Sequence, residues 1–235
     1  MRVDQDATHL AAVREALTLV ESPISFRKQM NKLGHLLGER YVTEMTLRDD
    51  SVGVVVAAEN LDTIGVGFLK ELRSRGVAAS LICLWTEDIE VAIPERLVIA
   101  EVTQEYLSAP SLEFRHLIIL QAWDLEEAFV RTALLKYRDD SELLSFSVLS
   151  CALLPEAEKR LQDAFRWSPA PNFSFLSLEE EVAQGAFAES VRALKANLRS
   201  VLGLKLKGLK SAYFPKLLHI VLNRPAPAPT LELML

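Results

Sequence analysis

The side chains with the most evident chemistry stand directly after a short apolar run, in residues 121–129. The amide of Gln121 is followed there by the carboxylates of Asp124, Glu126 and Glu127. In α/β proteins, ligands often bind where a strand is followed by a helix, because the N–H groups at the start of the helix can hold an anion. Carboxylates would repel a phosphate. Asp124 is therefore expected to cap the helix, with Glu126 and Glu127 in its first turn.

The elements around this stretch are predicted to be a strand, a helix and a second strand. Residues 116–120 are apolar with a β-branched centre, residues 125–137 carry apolar side chains at helical spacing, and residues 143–149 are again apolar. Two buried strands joined by one helix are expected to be parallel, because the helix returns the chain to the same end of the sheet.

The remaining elements continue this alternation. Two early helices are predicted, capped by Thr8 and Ser25. The other predicted elements are strands at 52–58, 79–85, 96–100 and 173–176, and helices at 61–75 (ended by Gly76), 104–107, 156–166 and 182–202. This order predicts an α/β fold, with a mostly parallel sheet, helices on both faces and a helical C-terminal extension.

The sequence gives little support for metal, cofactor or thiol chemistry. The four histidines lie far apart in the sequence and show no metal-ligand spacing with the two cysteines. Cys83 and Cys151 stand in apolar runs, so both are expected to be buried free thiols of a reducing compartment. Gly65-Val66-Gly67 lies inside a predicted helix, which does not fit a dinucleotide fingerprint. We therefore expect no metal and no cofactor.

The composition of the 235 residues is that of a soluble globular protein, with 50% hydrophobic and 25% charged residues. No apolar run approaches the ~18 residues of a membrane span. The first residues are too polar and acidic for a secretory signal, so a cytoplasmic location is expected, or another reducing compartment.

The net charge of −6 is unevenly distributed, because residues 192–224 contain eight Lys or Arg and no Asp or Glu. We therefore divide the chain into an α/β domain (1–180), a helical basic C-terminal extension (181–224), and a Pro-Ala linker with an apolar tail (225–235). The tail fits either a frayed end or a strand added to a neighbouring sheet.

Two stretches resemble uracil phosphoribosyltransferases, a branch of the type I phosphoribosyltransferase fold. Residues 26–37 (FRKQMNKLGHLL) are similar to an early helix of that family, and residues 152–161 (ALLPEAEKRL) to a junction where a Pro-Glu pair opens a helix. The resemblance spans residues 8–180. It implies this fold and a homodimer, with the apolar side chains of the helix from Phe26 to Tyr41 as candidates for the interface.

The family's ligand-binding motifs have no clear counterpart in this sequence. The donor-phosphate loop of the family is rich in Gly and small residues, whereas the corresponding positions here are Gln121, Ala122, Trp123, Asp124, Leu125, Glu126 and Glu127. The pyrophosphate loop carries a basic residue in the family, whereas the positions here are Ala58, Glu59 and Asn60, with Asp62 nearby. A third loop, which covers the family's site, corresponds to Trp85-Thr86-Glu87-Asp88. No catalytic residue is assigned.

These losses lead to a first hypothesis: a phosphoribosyltransferase-like pseudoenzyme that acts by binding, assembly or regulation. One alternative is a divergent uracil (pyrimidine) phosphoribosyltransferase. Another is a peripheral membrane or complex-assembly factor that docks to a protein or an anionic membrane through its basic segment, with Lys205, Lys207, Lys210 and Lys216. The leucines of that segment can equally pack against the sheet or a sister subunit. Nucleic acid is not expected as a partner of this acidic chain.

Overall fold

One six-stranded sheet forms the centre of the computed structural model, in the order β3-β2-β1-β4-β5-β6. The strands are β1 (Val52–Ala57), β2 (Ala79–Val91), β3 (Leu97–Leu107), β4 (His116–Leu120), β5 (Ser145–Ala152) and β6 (Asn172–Glu179). Neighbouring strands are parallel except for the antiparallel pair β2–β3. The predicted α/β fold class is confirmed.

The structure describes residues 2–19, 22–45, 51–91, 97–108, 114–123, 126–137, 143–153, 156, 159, 161–163, 172–179, 186–201, 206–207, 210–211 and 213–222. Among them, no helix combines the length and the apolar character that crossing a membrane requires.

Helices cover both faces of the sheet. They are α1 (Arg2–Thr18), α2 (Pro23–Met45), a composite α3, α4 (Glu127–Tyr137), α5 (Ala186–Val201) and α6 (Lys216–Leu222). Helix α3 consists of an α turn (Ala58–Asn60), a π-helical segment (Leu61–Gly65) and an α-helix (Val66–Ser74). Apolar residues of α1, α2 and α3 pack on one face, and those of α4 on the other.

Burial on both faces explains why the central strands are apolar throughout. In β1, Val54 and Val56 face the core with α2 and α3, whereas Val55 and Ala57 face the core with α4. A strand covered on both faces has no solvent-facing positions at which polar residues are favoured, so its sequence is a continuous apolar run.

Several predicted local features are wrong. Thr8 and Ser25 lie inside their helices, because α1 already begins at Arg2 and α2 at Pro23. Proline suits a first helical position, where its missing N–H costs nothing. The predicted helix at 104–107 is part of β3, whose long pairing with β2 provides hydrogen bonds that a four-residue helix lacks.

The C-terminal extension is only partly helical. The predicted helix at 182–202 is observed as α5, and residues 156, 159 and 161–163 are helical as predicted. The extension also contains a two-stranded hairpin, Leu206–Lys207 with Lys210–Ser211, before α6. The linker and tail at 225–235 lie outside the described residues.

The face of α2 that was predicted as a dimer interface lies inside the protein. Its residues Phe26, Met30, Leu33, Leu37 and Tyr41 are at most 1% exposed and belong to the core around the sheet. These five side chains are therefore buried by packing within one chain, so they are not available for contact with a second copy. Homodimerisation itself stays a prediction.

Helix α2 packs unusually close to α3 through two glycines. A Cβ atom at Gly34 would lie 2.1 Å from the Ile64 carbonyl oxygen, and one at Gly67 would lie 1.9 Å from the Asn31 carbonyl oxygen. Both obstacles are backbone atoms, so they cannot move away as a flexible side chain does. The two helices can approach this closely only because neither glycine has a side chain.

We predict that Gly67→Ala lowers the free energy of unfolding by about 1–3 kcal/mol, because α2 and α3 must move apart. The control is Gly65→Ala on the same helix, where the nearest atom is the end of the Leu61 side chain at 3.1 Å. Urea denaturation measures both variants. Equal losses for the two would contradict a backbone clash at Gly67.

Candidate functional site

The candidate site lies at the carboxyl ends of β1 and β4. From β1 the chain continues to β2 on one side, while β4 and β5 lie on the other. In open α/β sheets this change of direction creates a crevice in which ligands usually bind. The predicted site residues after β1 and after β4 are indeed placed at this edge, since Val56 pairs with Leu120.

After β1, the chain enters helix α3 without a connecting loop. Strand β1 ends at Ala57 and the first helical residue is Ala58. Ala58 and Asn60 are buried and Glu59 is half-buried. The positions compared with a pyrophosphate loop therefore form a helical turn, and the described backbone has no loop there to close around a pyrophosphate.

After β4, the backbone stays bound to β5 for two more residues. The Gln121 amide donates to the Leu149 carbonyl at 2.8 Å, and the Ala122 carbonyl accepts from the Cys151 amide at 3.3 Å. The Gln121 side-chain oxygen accepts a hydrogen bond from the Glu126 amide at 3.3 Å. An amide at the start of α4, of the kind that could hold an anion, is therefore occupied by the chain's own carboxamide.

The side chain of Trp123 is buried. It is 2% exposed and packs in the core with residues of β1, β4 and β5, and Gln121 and Ala122 are buried next to it. Glu126 and Glu127 are half-buried. Asp124 and Leu125 lie outside the described residues, so the predicted cap at Asp124 stays a prediction.

Three buried polar side-chain atoms at this edge have no hydrogen-bond partner in the described part of the chain: Asn60 Oδ1, Gln121 Nε2 and Trp123 Nε1. Buried groups of this kind usually bind ordered water. For Trp123 the consequence is that packing, rather than a hydrogen bond to a described residue, holds the indole in place.

The segment compared with the family's covering loop is part of a regular strand. Residues 85–88 belong to β2, with an irregularity in pairing between Trp85 and Thr86. The Trp85 Nε1 donates to the Tyr213 carbonyl at 2.8 Å, and its ring stacks on Phe214 with centroids 5.6 Å apart. Trp85 therefore anchors the C-terminal part of the chain to the sheet.

We call residues 213–222 the C-terminal strap. Asp62 in α3 accepts hydrogen bonds from the Tyr213 hydroxyl, from the Lys216 amide at 2.7 Å and from the Leu217 amide at 3.0 Å. The carboxylate thus caps the start of α6. Leu217 and Leu218 are buried in the core beside α2 and α3, which is the packing alternative for the leucines of this segment.

The strap lies over an acidic environment. Burial and the Asp62 carboxylate raise the pKa of the Tyr213 hydroxyl, while the charge of Arg27 lowers it by a smaller amount. Burial raises the pKa of the Cys83 thiol, and the charges of Asp62 and Glu59 raise it further. Tyr213 therefore stays protonated at neutral pH and can donate its hydrogen bond.

The basic residues predicted for docking are only partly described. The side chain of Lys216 is exposed at the start of α6. Lys207 and Lys210 face each other in the register of the hairpin, and Lys205 lies outside the described residues.

The thiol and metal predictions can be compared with the described residues. Cys83 and Cys151 are free and buried as predicted. Within the described ranges, no group of three or more His, Cys, Asp or Glu is placed to hold a metal ion.

No protein-family model matches the chain, and a comparison with curated proteins finds no match either. Among solved structures, the AQ2163 protein from Aquifex aeolicus is similar, with a TM-score of 0.53 and 16% identity over 80% of this chain and 95% of that chain. Adenine phosphoribosyltransferase from Thermoanaerobacter pseudethanolicus has a TM-score of 0.40 and 12% identity over 66% of this chain and 83% of its own.

A hypoxanthine phosphoribosyltransferase from Staphylococcus aureus has a TM-score of 0.39 and 10% identity, covering 63% of this chain and 75% of that chain. At these identities a similarity concerns the fold alone. Uracil specificity gains no support from these structures and stays a prediction.

The contact between Asp62 and the strap is one feature of this edge that sequence reasoning missed. Its partners are more than 150 positions apart in the chain. One local signal was present: Phe214-Pro215 precedes α6 without a Ser, Thr, Asp or Asn to cap it. A helix start without a local cap must find its acceptor elsewhere.

We predict that Trp123→Ala lowers the free energy of unfolding by about 3–5 kcal/mol, because it leaves a cavity in the core. Trp123→Phe is expected to cost less than ~2 kcal/mol, since it keeps an aromatic ring and leaves a smaller cavity than alanine does. Denaturation curves compare the two. If both variants lose the same stability, the buried volume does not decide the loss and the packing explanation for Trp123 is wrong.

Proposed function

We propose that this chain is a phosphoribosyltransferase-like protein without transferase activity, which acts by binding, assembly or regulation. The observation that supports this proposal is that neither β1 nor β4 is followed by an open loop of free amides in the described residues. Gln121 binds the Glu126 amide, Trp123 is buried beside it, and α3 starts directly at Ala58.

Binding of a sugar phosphate requires free backbone amides and little steric bulk around them. At the start of α4, the amide of Glu126 is already bound by a side chain of the protein. A phosphate would have to displace Gln121, which is 2% exposed and tied to β5 through its backbone. The displaced carboxamide would then need new partners inside the protein, which makes the exchange unfavourable.

The charges at this edge also oppose a diphosphate. Glu126 and Glu127 flank the start of α4, and Glu59 and Asp62 lie in the first two turns of α3. Transfer from phosphoribosyl pyrophosphate depends on stabilising the charge that develops on the leaving diphosphate, usually by cations and hydrogen-bond donors. Carboxylates near that position raise the energy of the bound donor and of its transition state alike.

We predict no nucleotide formation when the purified full chain is incubated with phosphoribosyl pyrophosphate, Mg²⁺ and either uracil, adenine or hypoxanthine. Chromatographic detection of nucleotide measures the rate, and a mock purification from cells without the gene serves as control. An active transferase turns over roughly 1–10³ times per second. A rate well above the mock purification, saturable in phosphoribosyl pyrophosphate, would contradict the proposal.

A docking role for the C-terminal strap is supported by a separate observation. Ile220 and Leu222 are 52% and 58% exposed on the same short helix as the exposed side chain of Lys216. Leu217 and Leu218 on its other side are buried in the core, so only the outer face is available to a membrane or partner surface.

If the partner is an anionic membrane, we predict that the full chain co-sediments with vesicles containing phosphatidylserine. The double variant Ile220→Ser and Leu222→Ser is expected to lose this binding, because apolar area and basic charge contribute together to membrane attachment. Lys28→Ala, on α2, is the control for a charge outside the strap. Equal co-sedimentation of the double variant and the unchanged chain would remove the strap from the interaction.

A further inference from the structure

The C-terminal strap is held to the rest of the protein by a small set of described contacts. It contacts Asp62 in α3 and Trp85 in the middle of β2, and it buries Leu217 and Leu218 in the core. Helix α6 has seven residues. A helix of this length is not stable on its own in water, so its presence depends on these contacts.

Three polar contacts converge on a single carboxylate. Among the described residues, Asp62 accepts hydrogen bonds from the strap at three positions: the Tyr213 hydroxyl and the amides of Lys216 and Leu217. Hydrogen bonds to a charged acceptor are stronger than those to a neutral one. Loss of the Asp62 side chain would therefore remove both the cap at the start of α6 and the hydrogen bond with Tyr213.

One thiol lies near the attachment of the strap. Cys83 is fully buried on β2, two residues before Trp85 and on the same face, and Trp85 contacts Tyr213 and Phe214 of the strap. Cys151 is equally buried, but it lies on β5, two strands beyond β1. The chain thus contains one thiol near the strap and one thiol away from it.

We propose that the C-terminal strap is a lid over Trp85 of β2 and the start of α3, latched by Asp62, that opens while the rest of the sheet stays folded. The local contact set is small and centred on one residue, whereas β1, β4 and β5 are bound on both sides and buried on both faces. Segments with few buried contacts open at a lower free energy than central strands do. This inference goes beyond the proposed function, since it holds whether or not the chain catalyses transfer.

The test measures how fast a thiol reagent modifies each cysteine of the full-length protein, with the labelled peptides identified by mass spectrometry. In Asp62→Asn the labelling rate of Cys83 is expected to rise roughly 10- to 100-fold, which corresponds to the loss of hydrogen bonds to a charged group. The rate at Cys151 is expected to stay unchanged, because opening the strap leaves β5 in place.

Two further variants sharpen the comparison. Tyr213→Phe keeps the ring and removes one of the hydrogen bonds, so a smaller increase at Cys83 is expected. Lys216→Ala changes an exposed side chain on the strap and keeps the backbone amide that Asp62 accepts from, so no increase is expected.

Two results would overturn the lid. Parallel increases at Cys83 and Cys151 would show that Asp62 supports the whole fold rather than a lid. Unchanged labelling of Cys83 in both Asp62→Asn and Tyr213→Phe would show that Asp62 is no latch. Neither result bears on the transferase assay, so failure of the lid and failure of the proposed function can be told apart.

Discussion

The carboxylate of Asp62 is the interaction on which the closed edge of this sheet depends. It stands at the second turn of α3 and binds the Tyr213 hydroxyl and the first amides of α6. Its position follows from two constraints nearby. Helix α3 begins directly where β1 ends, and the glycines at 34 and 67 let α2 press α3 against the sheet. Asp62 is thereby held where the C-terminal strap can reach it.

The two sides of the sheet's carboxyl edge differ in how the chain continues. After β1 there is no loop, because α3 begins directly at Ala58, and Asp62 in its second turn holds the strap. After β4, the Gln121 carboxamide binds the Glu126 amide, and Trp123 is buried in the core nearby. One amide at the start of α4 is therefore bound from within the chain.

The sequence predicted the elements whose patterns are local. The apolar runs of β1, β4 and β5 and the helical spacing of α2 and α4 led to the right order and to parallel pairing. The sequence did not predict that β2 continues beyond residue 85 or that residues 104–107 pair with it as part of β3. Pairing with another strand decides the state of so short a stretch. The apolar face of α2 was placed at a dimer interface, since a sequence cannot tell a surface buried by its own core from one buried by a partner.

The candidate site shows the same division. The absence of glycine and the presence of Trp123 and several carboxylates were visible in the sequence and pointed to a crevice poorly suited to phosphate. The contacts of Gln121 with Glu126 and of Asp62 with the strap were not, since they depend on where folded segments meet. The residue types at this edge could therefore be read from the sequence, whereas the contacts that hold them in place could not.

The most direct measurement is a crystal structure of the full chain grown with phosphoribosyl pyrophosphate and Mg²⁺. We expect Gln121 to remain bound to the Glu126 amide, Trp123 to remain buried, and the strap to remain on Asp62, with no donor density at the carboxyl ends of β1 and β4. A donor ordered against the amides at the start of α4, with Gln121 displaced, would contradict the closed crevice on which the proposed function rests.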